Sequence, residues 1–383
     1  MINRLKDGTS AFQSLMTRAE FCSVDEVVGI VDDISRFSID SASTPIIRVL
    51  SAKILKHEAL ELDSISKALR LLGKSRFRDD QLLIHLSNKV LSKLEGSVCP
   101  EDVADCIYGL SKFNDGCDDK LKVALGALVK KARKIKDPKI LASICQSLTV
   151  INYSDKSFEN RVAALLRDHK ESFELAEKIP NLQQLASFAL FLLHFGWCRE
   201  EHWEFILRQT ERQVGEILID LEKLDKKIFQ EIHQAISICF SFSRAFPLSD
   251  SGRFLFSLSS GLVRAVLRRE LESENHEEFL NTDDILIFIN ACARVEFRDR
   301  KLLQSAAQWL RDRNFFVTLT DFSKALRFSS DLDKLGASIP ELDAMIQNIQ
   351  SNPVLSSERI SWIKQRVNSP KRKVKSQRCW RKF

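Results

Sequence analysis

Hydrophobic residues recur along the first part of the chain in a helical pattern that repeats every 38 residues. Counted back from an anchor residue, apolar side chains occupy positions −10, −7, −6 and −3. Before Phe113 these positions hold Val103, Cys106, Ile107 and Leu110. Spacings of three and four residues place the side chains on one face of an α-helix. Four such helices end at anchors in equal steps: Phe37, Ser75, Phe113 and Ile151. A fixed period of this length predicts stacked helical repeats.

The pattern continues beyond residue 151 in less regular steps of 44, 47, 53 and 37 residues. The later anchors are Phe195, Phe242, Val295 and, with a weaker match, Leu332. Extra residues over 208–228 and 270–281 indicate longer second helices or loops. A short polar turn, such as the one at Asn114 to Gly116, separates the first helix of a unit from the second. The sequence therefore predicts an all-α fold, a right-handed α-solenoid of about eight helix–turn–helix repeats.

The composition agrees with this organisation. With 383 residues, 44% hydrophobic content, 12 Gly and 8 Pro, the chain can bury a large core without strands. We expect an N-terminal segment over 1–22, the repeat array over 23–335, capping helices over 336–369 and a basic tail over 370–383. No apolar run reaches the length of a membrane span, so we expect no membrane contact. Nine cysteines without a CxxC pair indicate small buried hydrophobes in a reducing compartment.

The first helix of each repeat carries mostly polar and cationic side chains at positions −1 and −5 relative to the anchor. We expect these two columns of side chains to face away from the core. A column of cations would follow the phosphates of single-stranded RNA, and variable polar side chains would meet base edges repeat by repeat. A solvated helix face would show mixed polar residues as well. The candidate RNA-binding residues of the repeats are Arg36, Arg70, Lys74, Tyr108, Lys112, Gln146, His194, Asn290, Arg294 and Arg327.

The tail offers a second candidate surface. The tail carries a formal charge of +7, and the whole chain carries +6. Residues 1–369 therefore carry 6 − 7 = −1. Cations interleaved with aromatic rings can neutralise phosphates and stack on bases. A nuclear-type signal or a disordered solubilising tail would have a similar composition. The candidate RNA-binding residues of the tail are Lys371, Arg372, Lys373, Lys375, Arg378, Trp380, Arg381 and Lys382.

Signals of catalysis are poor. The chain has no phosphate-cradling glycine loop, no HExxH and no nucleophile elbow. His194, Cys198 and His202 have the i, i+4, i+8 spacing of metal ligands, but Gly196 interrupts them and no fourth ligand is near in sequence. We therefore expect no enzyme, no catalytic residues, no metal, no cofactor and no small-molecule substrate.

In three repeats, the first helix resembles that of a known repeat family. They are ADCIYGLSKFN (104–114), ASICQSLTVIN (142–152) and ASFALFLLHFG (186–196). They are similar to the "A-N-x-x-W-A-x-A-K-L-G" helix of octatricopeptide and heptatricopeptide repeats, which is also found in FAST-kinase-like and RAP-domain proteins. The 38-residue step fits the octatricopeptide unit, and the resemblance covers most of residues 24–335.

Two features depart from the family pattern. The usual tryptophan of the helix is replaced by Tyr108, Gln146 and Leu190. No RAP domain follows the array, so we expect no RNA-cleaving role.

The resemblance implies an organellar RNA-binding protein. Members of the family act in RNA maturation, stability and translation, and related proteins are built into mitochondrial ribosomes in several protist lineages. We therefore expect a structural component of the mitochondrial ribosome in the matrix, contacting rRNA and other ribosomal or ribonucleoprotein subunits. The first 20 residues, which mix basic and acidic side chains, are at best a weak presequence.

Two alternatives remain open. A protein–protein scaffold solenoid is favoured by the nearly neutral body of the chain. A trans-acting factor for mitochondrial RNA processing or stability would associate with ribosomes substoichiometrically.

Overall fold

The computed structural model describes residues 44–56, 60–113, 119–168, 180–219, 226–272, 280–313 and 322–350, together with Glu26. These residues contain fifteen α-helices and no strand, so the all-α prediction is confirmed. Arg36, the N-terminal segment and the basic tail lie outside the described residues. The chain divides into two compact units, Met1–Ile179 and Pro180–Phe383.

Unit 1 arranges its helices in two layers. In chain order they are α1 (Thr44–Lys56), α2 (Leu62–Ser75), α3 (Asp80–Lys93), α4 (Pro100–Ser111), α5 (Asp119–Ala132), α6 (Pro138–Val150) and α7 (Lys156–Arg167). Helices α2, α4 and α6 pack in sequence and form the A layer. Helices α1, α3, α5 and α7 pack in sequence and form the B layer. Each helix thus packs against the second helix along the chain, as in a helical repeat.

Unit 2 repeats this arrangement with longer helices. They are α8 (Leu182–His194), α9 (Glu200–Ile219), α10 (Lys226–Ala245), α11 (Arg253–Glu272), α12 (Thr282–Arg294), α13 (Arg300–Asp312), α14 (Phe322–Leu335) and α15 (Pro340–Gln350). Its A layer is α8, α10, α12 and α14, its B layer is α9, α11 and α13, and α15 packs on α14. The α-solenoid character of the packing is thereby confirmed within each unit. Among the described helices, none is both long enough and apolar enough to cross a membrane.

The predicted apolar stripe is buried in the core. In α4, all four stripe residues from Val103 to Leu110 are buried. The stripes of α2, α6, α8, α10 and α12 are buried as well. Cys106, Cys145, Cys239 and Cys292 are buried stripe residues, and burial raises the pKa of the Cys239 thiol to about 12. These cysteines therefore pack as neutral hydrophobes, as the sequence predicts.

A left-handed residue directly follows the anchor in four repeats. These residues have φ between 52° and 78° and are Arg76, Asn152, Gly196 and Glu296. In three of the repeats the N–H two residues after the anchor donates to the carbonyl oxygen three residues before it. The pairs are Tyr153 to Leu148, Trp197 to Leu192 and Phe297 to Cys292, at 2.8–3.0 Å. This Schellman motif satisfies orphan carbonyl groups and ends the A helix.

An aspartate begins the B helix in three of those repeats. Asp79, Asp155 and Asp299 are N-caps whose side chains accept a hydrogen bond from a backbone N–H three residues later. A capping oxygen satisfies one of the free donors at a helix start and stabilises the helix by about 1 kcal/mol. The turn between the A and B helices is therefore built from a left-handed residue and an acidic cap.

In the last A helix, α14, the anchor lies at a different residue from the predicted one. Gly336 has φ 71°, and the N–H of Ala337 donates to the carbonyl oxygen of Leu332. By analogy with the other turns, Leu335 and not Leu332 is the anchor, so the step from Val295 is 335 − 295 = 40 residues. Burial agrees with this assignment, because Phe328, which lies at position −7 when counted from Leu335, is buried. The predicted anchor of this repeat was wrong by three residues.

Candidate nucleic-acid interface

The predicted RNA-binding residues of unit 1 lie together on α2 and α4. A Cβ placed on Gly73 would lie 3.2 Å from Cγ of Lys112 and 3.3 Å from Cε1 of Tyr108. These two side chains of α4 therefore cover the end of α2 that carries Arg70 and Lys74. The four side chains, Arg70, Lys74, Tyr108 and Lys112, are called the A face below.

Close approach of the two helices brings these side chains together. A Cβ on Gly109 would lie 2.4 Å from the carbonyl oxygen of Leu69, and one on Gly73 would lie 3.1 Å from the Cα of Gly109. Only glycine allows the two backbones this separation. Side chains from neighbouring repeats consequently share one surface at this point.

A cation lies over an aromatic ring on the A face. The Nζ of Lys112 is 4.9 Å from the centroid of the Tyr108 ring. A cation at this distance from a ring face is attracted by its quadrupole. The ring is only half-buried and Lys112 is exposed. This pair can therefore present a positive charge and a flat apolar surface to the same ligand.

One carboxylate partly balances the A face. The Nη1 of Arg70 donates to Oδ2 of Asp105 at 3.0 Å. Burial raises the pKa of the Asp105 carboxyl, while the charges of Arg70 and Lys74 oppose that rise. Arg70 and Asp105 thus form one ion pair on the A face, next to the ammonium groups of Lys74 and Lys112.

The cationic character stops at the next repeat. On α6, Gln146 is exposed but neutral, and Val150 occupies the −1 position with 63% of its surface exposed. The A face is therefore a patch on two helices of unit 1.

In unit 2, two predicted RNA-binding residues are engaged with a buried carboxylate. The Nδ2 of Asn290 donates to Oδ2 of Asp331 at 2.6 Å, and its Oδ1 accepts from Nε of Arg294 at 2.9 Å. Burial lowers the pKa of the Arg294 guanidinium, and Asp331 opposes this effect. The amide of Asn290 therefore already has a donor and an acceptor partner within the protein.

Arg244 is a cation of unit 2 that was not among the predicted RNA-binding residues. Its guanidinium lies 5.5 Å from the ring centroid of Phe240. Burial lowers its pKa, and the positive charge of Arg294 lowers it further, so the two guanidinium groups are near each other. Arg244 was missed because α10 continues to Ala245, beyond the predicted anchor Phe242. The signal was present in the sequence as a basic residue two positions after the anchor Phe242.

Other predicted positions are scattered. His194 is half-buried, with its ring centroid 4.8 Å from that of Phe195, and Arg327 is exposed. Ser241 and Asp331, which belong to the −1 column, are only 0% and 6% exposed. The expectation that this whole column faces away from the core was therefore wrong at these two positions. At Asp331 the cause is the misplaced anchor, since the −1 residue counted from Leu335 is the exposed Lys334. At Ser241 the helix continues to Ala245, beyond the predicted anchor Phe242.

The spacing of His194, Cys198 and His202 does not produce a metal-ligand cluster among the described residues, where no group of three His, Cys, Asp or Glu could hold an ion. His202 is buried against Trp197, with ring centroids 5.3 Å apart. Burial raises the pKa of the Cys198 thiol.

No protein-family model matches the chain, and no curated protein matches it. The resemblance to octatricopeptide repeats therefore stays a prediction that rests on the period and on the three helix segments.

Proposed function

We propose that this protein binds RNA through the A face and is a structural component of the mitochondrial ribosome that contacts rRNA. The observation that carries the proposal is the Lys112 ammonium 4.9 Å from the centroid of the half-buried Tyr108 ring, beside the end of α2 that carries Lys74. Single-stranded RNA is held by cations that bind phosphates and by rings on which bases stack. The A face supplies both groups within one patch.

Each side chain has a distinct role in this proposal. Lys74 and Lys112 bind successive phosphates, since an ammonium is a compact charge with freely rotating donors. Tyr108 stacks on a base. Arg70 is held by Asp105 and positions the α2 side of the patch. The Gly73–Gly109 approach keeps the two lysines on one surface.

The wider assignment follows the sequence pattern. We propose an octatricopeptide-type array of about eight repeats with a right-handed superhelix, located in the mitochondrial matrix. The basic tail would add phosphate contacts and stacking through Trp380. These assignments rest on the 38-residue period and on the three helix segments that resemble the family.

Fluorescence anisotropy with a labelled single-stranded RNA of about 20 nucleotides tests the A face in the full chain. In K74Q/K112Q, two lost phosphate contacts should reduce the slope of log K against log [salt] by about 1.4. In Y108A, a lost stacking contact should weaken binding by about 5- to 150-fold, equivalent to about 1–3 kcal/mol. The control, K120Q/K122Q, removes the same charge from the start of α5 and should bind as the unaltered protein does. Equal behaviour of all three variants would refute the A face.

A protein–protein scaffold is the second candidate, and one observation favours it. The exposed Val150 lies in the column that would otherwise bind phosphate. A partner protein would cover this side chain. Sedimentation of native extracts separates the two candidates, because a scaffold would stay with ribosomes when Lys74 and Lys112 are both replaced by glutamine. An RNA contact would be weakened by the same change.

A further inference from the structure

A second cationic surface lies where α5 ends and α6 begins. Residues 130–139 read KKARKIKDPK and carry six cations and one acid, a formal charge of 6 − 1 = +5. The A face occupies the C-terminal ends of A helices, whereas this segment lies at the N-terminal end of α6. Along α6, Lys139 and Val150 are eleven residues apart, or about 16 Å at 1.5 Å per residue. The segment is therefore a separate surface of unit 1.

Part of this charge serves the fold. Arg133 forms two hydrogen bonds with the carboxylate of Asp155, at 2.9 and 3.1 Å. The Nζ of Lys131 donates to the carbonyl oxygen of Gly96 at 3.3 Å. The segment's single acid, Asp137, caps α6 by accepting from the backbone N–H of Lys139 at 2.9 Å. These contacts fix the path of the turn.

Four lysines remain, and each of them is exposed. They are Lys130, Lys134, Lys136 and Lys139, which we call the lysine edge. Within the part of the chain that the structure describes, none of the four forms an ion pair. Ile135, between them, is buried and anchors the turn in the core. Ten residues of the chain thus carry four exposed ammonium groups that have no ion-pair partner among the described residues.

Helix stability does not account for all four. Lys130 and Lys134 lie in or just after the last turn of α5, where the negative end of the helix dipole favours cations. Lys136 and Lys139 flank the start of α6, where the positive end disfavours them. The helix dipole therefore does not explain the presence of Lys136 and Lys139.

We propose that the lysine edge binds the phosphodiester backbone of RNA without reading its bases. Flexible ammonium groups act on phosphate as point charges and lack the fork geometry that selects a base edge. The exposed members of the segment include no aromatic ring on which a base would stack. The edge would thus position RNA on unit 1, while the A face supplies the stacking contact. This inference rests on the proposed RNA-binding function.

Salt titrations of RNA binding by the full chain test the edge. With a single-stranded RNA of about 20 nucleotides between about 50 and 200 mM salt, K136Q/K139Q should reduce the slope of log K against log [salt] by about 1.4. Adding K130Q/K134Q should bring the total reduction to about 2.8. K120Q/K122Q changes two lysines at the other end of α5 and is the matched control, with no expected change in slope. A slope that stays the same in the quadruple variant, or falls equally in the control, overturns the proposal.

Two further outcomes separate the edge from the A face. If K74Q/K112Q weakens binding and the quadruple edge variant does not, the edge is refuted and the proposed function stands. If the unaltered chain does not bind RNA at all, the proposed function fails and the edge fails with it. Competition with a glutamate polymer of equal charge decides the class of partner. Displacement of RNA by that polymer as effectively as by unlabelled RNA would assign the edge to an acidic protein segment and overturn the proposal.

Discussion

The two units fill the space between neighbouring repeats in opposite ways. In unit 1, α2 and α4 approach through Gly73 and Gly109, with almost no side-chain volume between the backbones. In unit 2, large rings pack where the B helix of one repeat meets the A helix of the next, as where Phe256 of α11 stacks against Phe288 of α12 with centroids 6.3 Å apart. The apolar stripe has the same spacing in both units. The pattern therefore determines which face of a helix is buried, while side-chain size sets how closely the helices approach.

Unit 2 also buries a charged group between repeats. The side chain of Glu270 is only 1% exposed. Its carboxylate accepts from Nε1 of Trp309 at 2.5 Å, from Nη2 of Arg313 at 2.7 Å and from the backbone N–H of Leu280 at 2.8 Å. One carboxylate thereby connects α11, the start of the α12 repeat and the end of α13. Unit 1 should accordingly be sensitive to added volume and unit 2 to lost groups.

The largest expected effect is the loss of the Glu270 carboxylate. The change E270L leaves the Arg313 guanidinium, the Trp309 indole and one backbone N–H without their acceptor. Removing one partner of a buried ion pair costs about 3–5 kcal/mol of unfolding free energy. Urea denaturation followed by tryptophan fluorescence measures this loss.

The control for this experiment is E272L, two residues further along the same helix. Glu272 is exposed, so its replacement should change the free energy of unfolding by no more than about 0.5 kcal/mol. Similar losses in both variants would show that the buried carboxylate does not hold the repeats of unit 2 together.

The next-largest effect comes from two glycine-to-alanine substitutions, which should change stability in opposite directions. G109A would place a methyl group 2.4 Å from the carbonyl oxygen of Leu69, and such overpacking should cost about 1–3 kcal/mol. G215A in α9 meets no atom within 4 Å and should stabilise the chain by about 1 kcal/mol, because alanine favours a helix interior. Thermal unfolding of both variants measures the two signs. A loss in G215A, or a gain in G109A, would contradict the assigned packing.

The smallest effect concerns two half-buried or buried aspartates, Asp105 in unit 1 and Asp331 in unit 2. Burial raises the pKa of each carboxyl above its ordinary value of 3.8. A raised folded-state pKa means that the folded chain holds the proton more tightly, so the carboxyl's contribution to stability falls as pH rises from 3.8 through the folded pKa. D331N removes this fall, and the variant should gain stability relative to the unaltered chain over that pH range.

D105N should show the same trend with a smaller amplitude. The side chain of Asp105 is 28% exposed, against 9% for Asp331, and Arg70 pairs with it. Denaturation curves collected across this pH range measure both differences. A larger pH effect for D105N would reverse the comparison of the two carboxyls.

The sequence predicted the features that depend on periodicity alone. The buried stripe, the neutral stripe cysteines and the helix–turn–helix units follow from the spacing of apolar residues. The clustering of Lys74, Tyr108 and Lys112 also follows, since both lysines occupy position −1 and Tyr108 lies one helical turn before Lys112. A period carries this information because equivalent positions in stacked repeats become neighbours.

Features that depend on tertiary contacts were not predictable. Glu270 lies in the run RRELE, where nothing distinguishes a buried carboxylate from a solvated one. Asn290 and Arg294 were assigned to a free face, yet Asp331 of the next A helix engages them. These polar partners lie about one repeat apart in the chain, and the spacing of apolar residues does not report which polar side chains will meet.

The turn after the A helix has a consequence for how the chain can change over time. Its bend is made by main-chain hydrogen bonds and one left-handed residue, a place filled by arginine, asparagine, glycine and glutamate in different repeats. Substitution to glycine there would relieve the strain of about 1 kcal/mol that a side chain adds in this conformation. The turn therefore does not depend on the identity of any one side chain. Evolutionary substitution can change nearly every residue of this turn while the chain still bends at the same place.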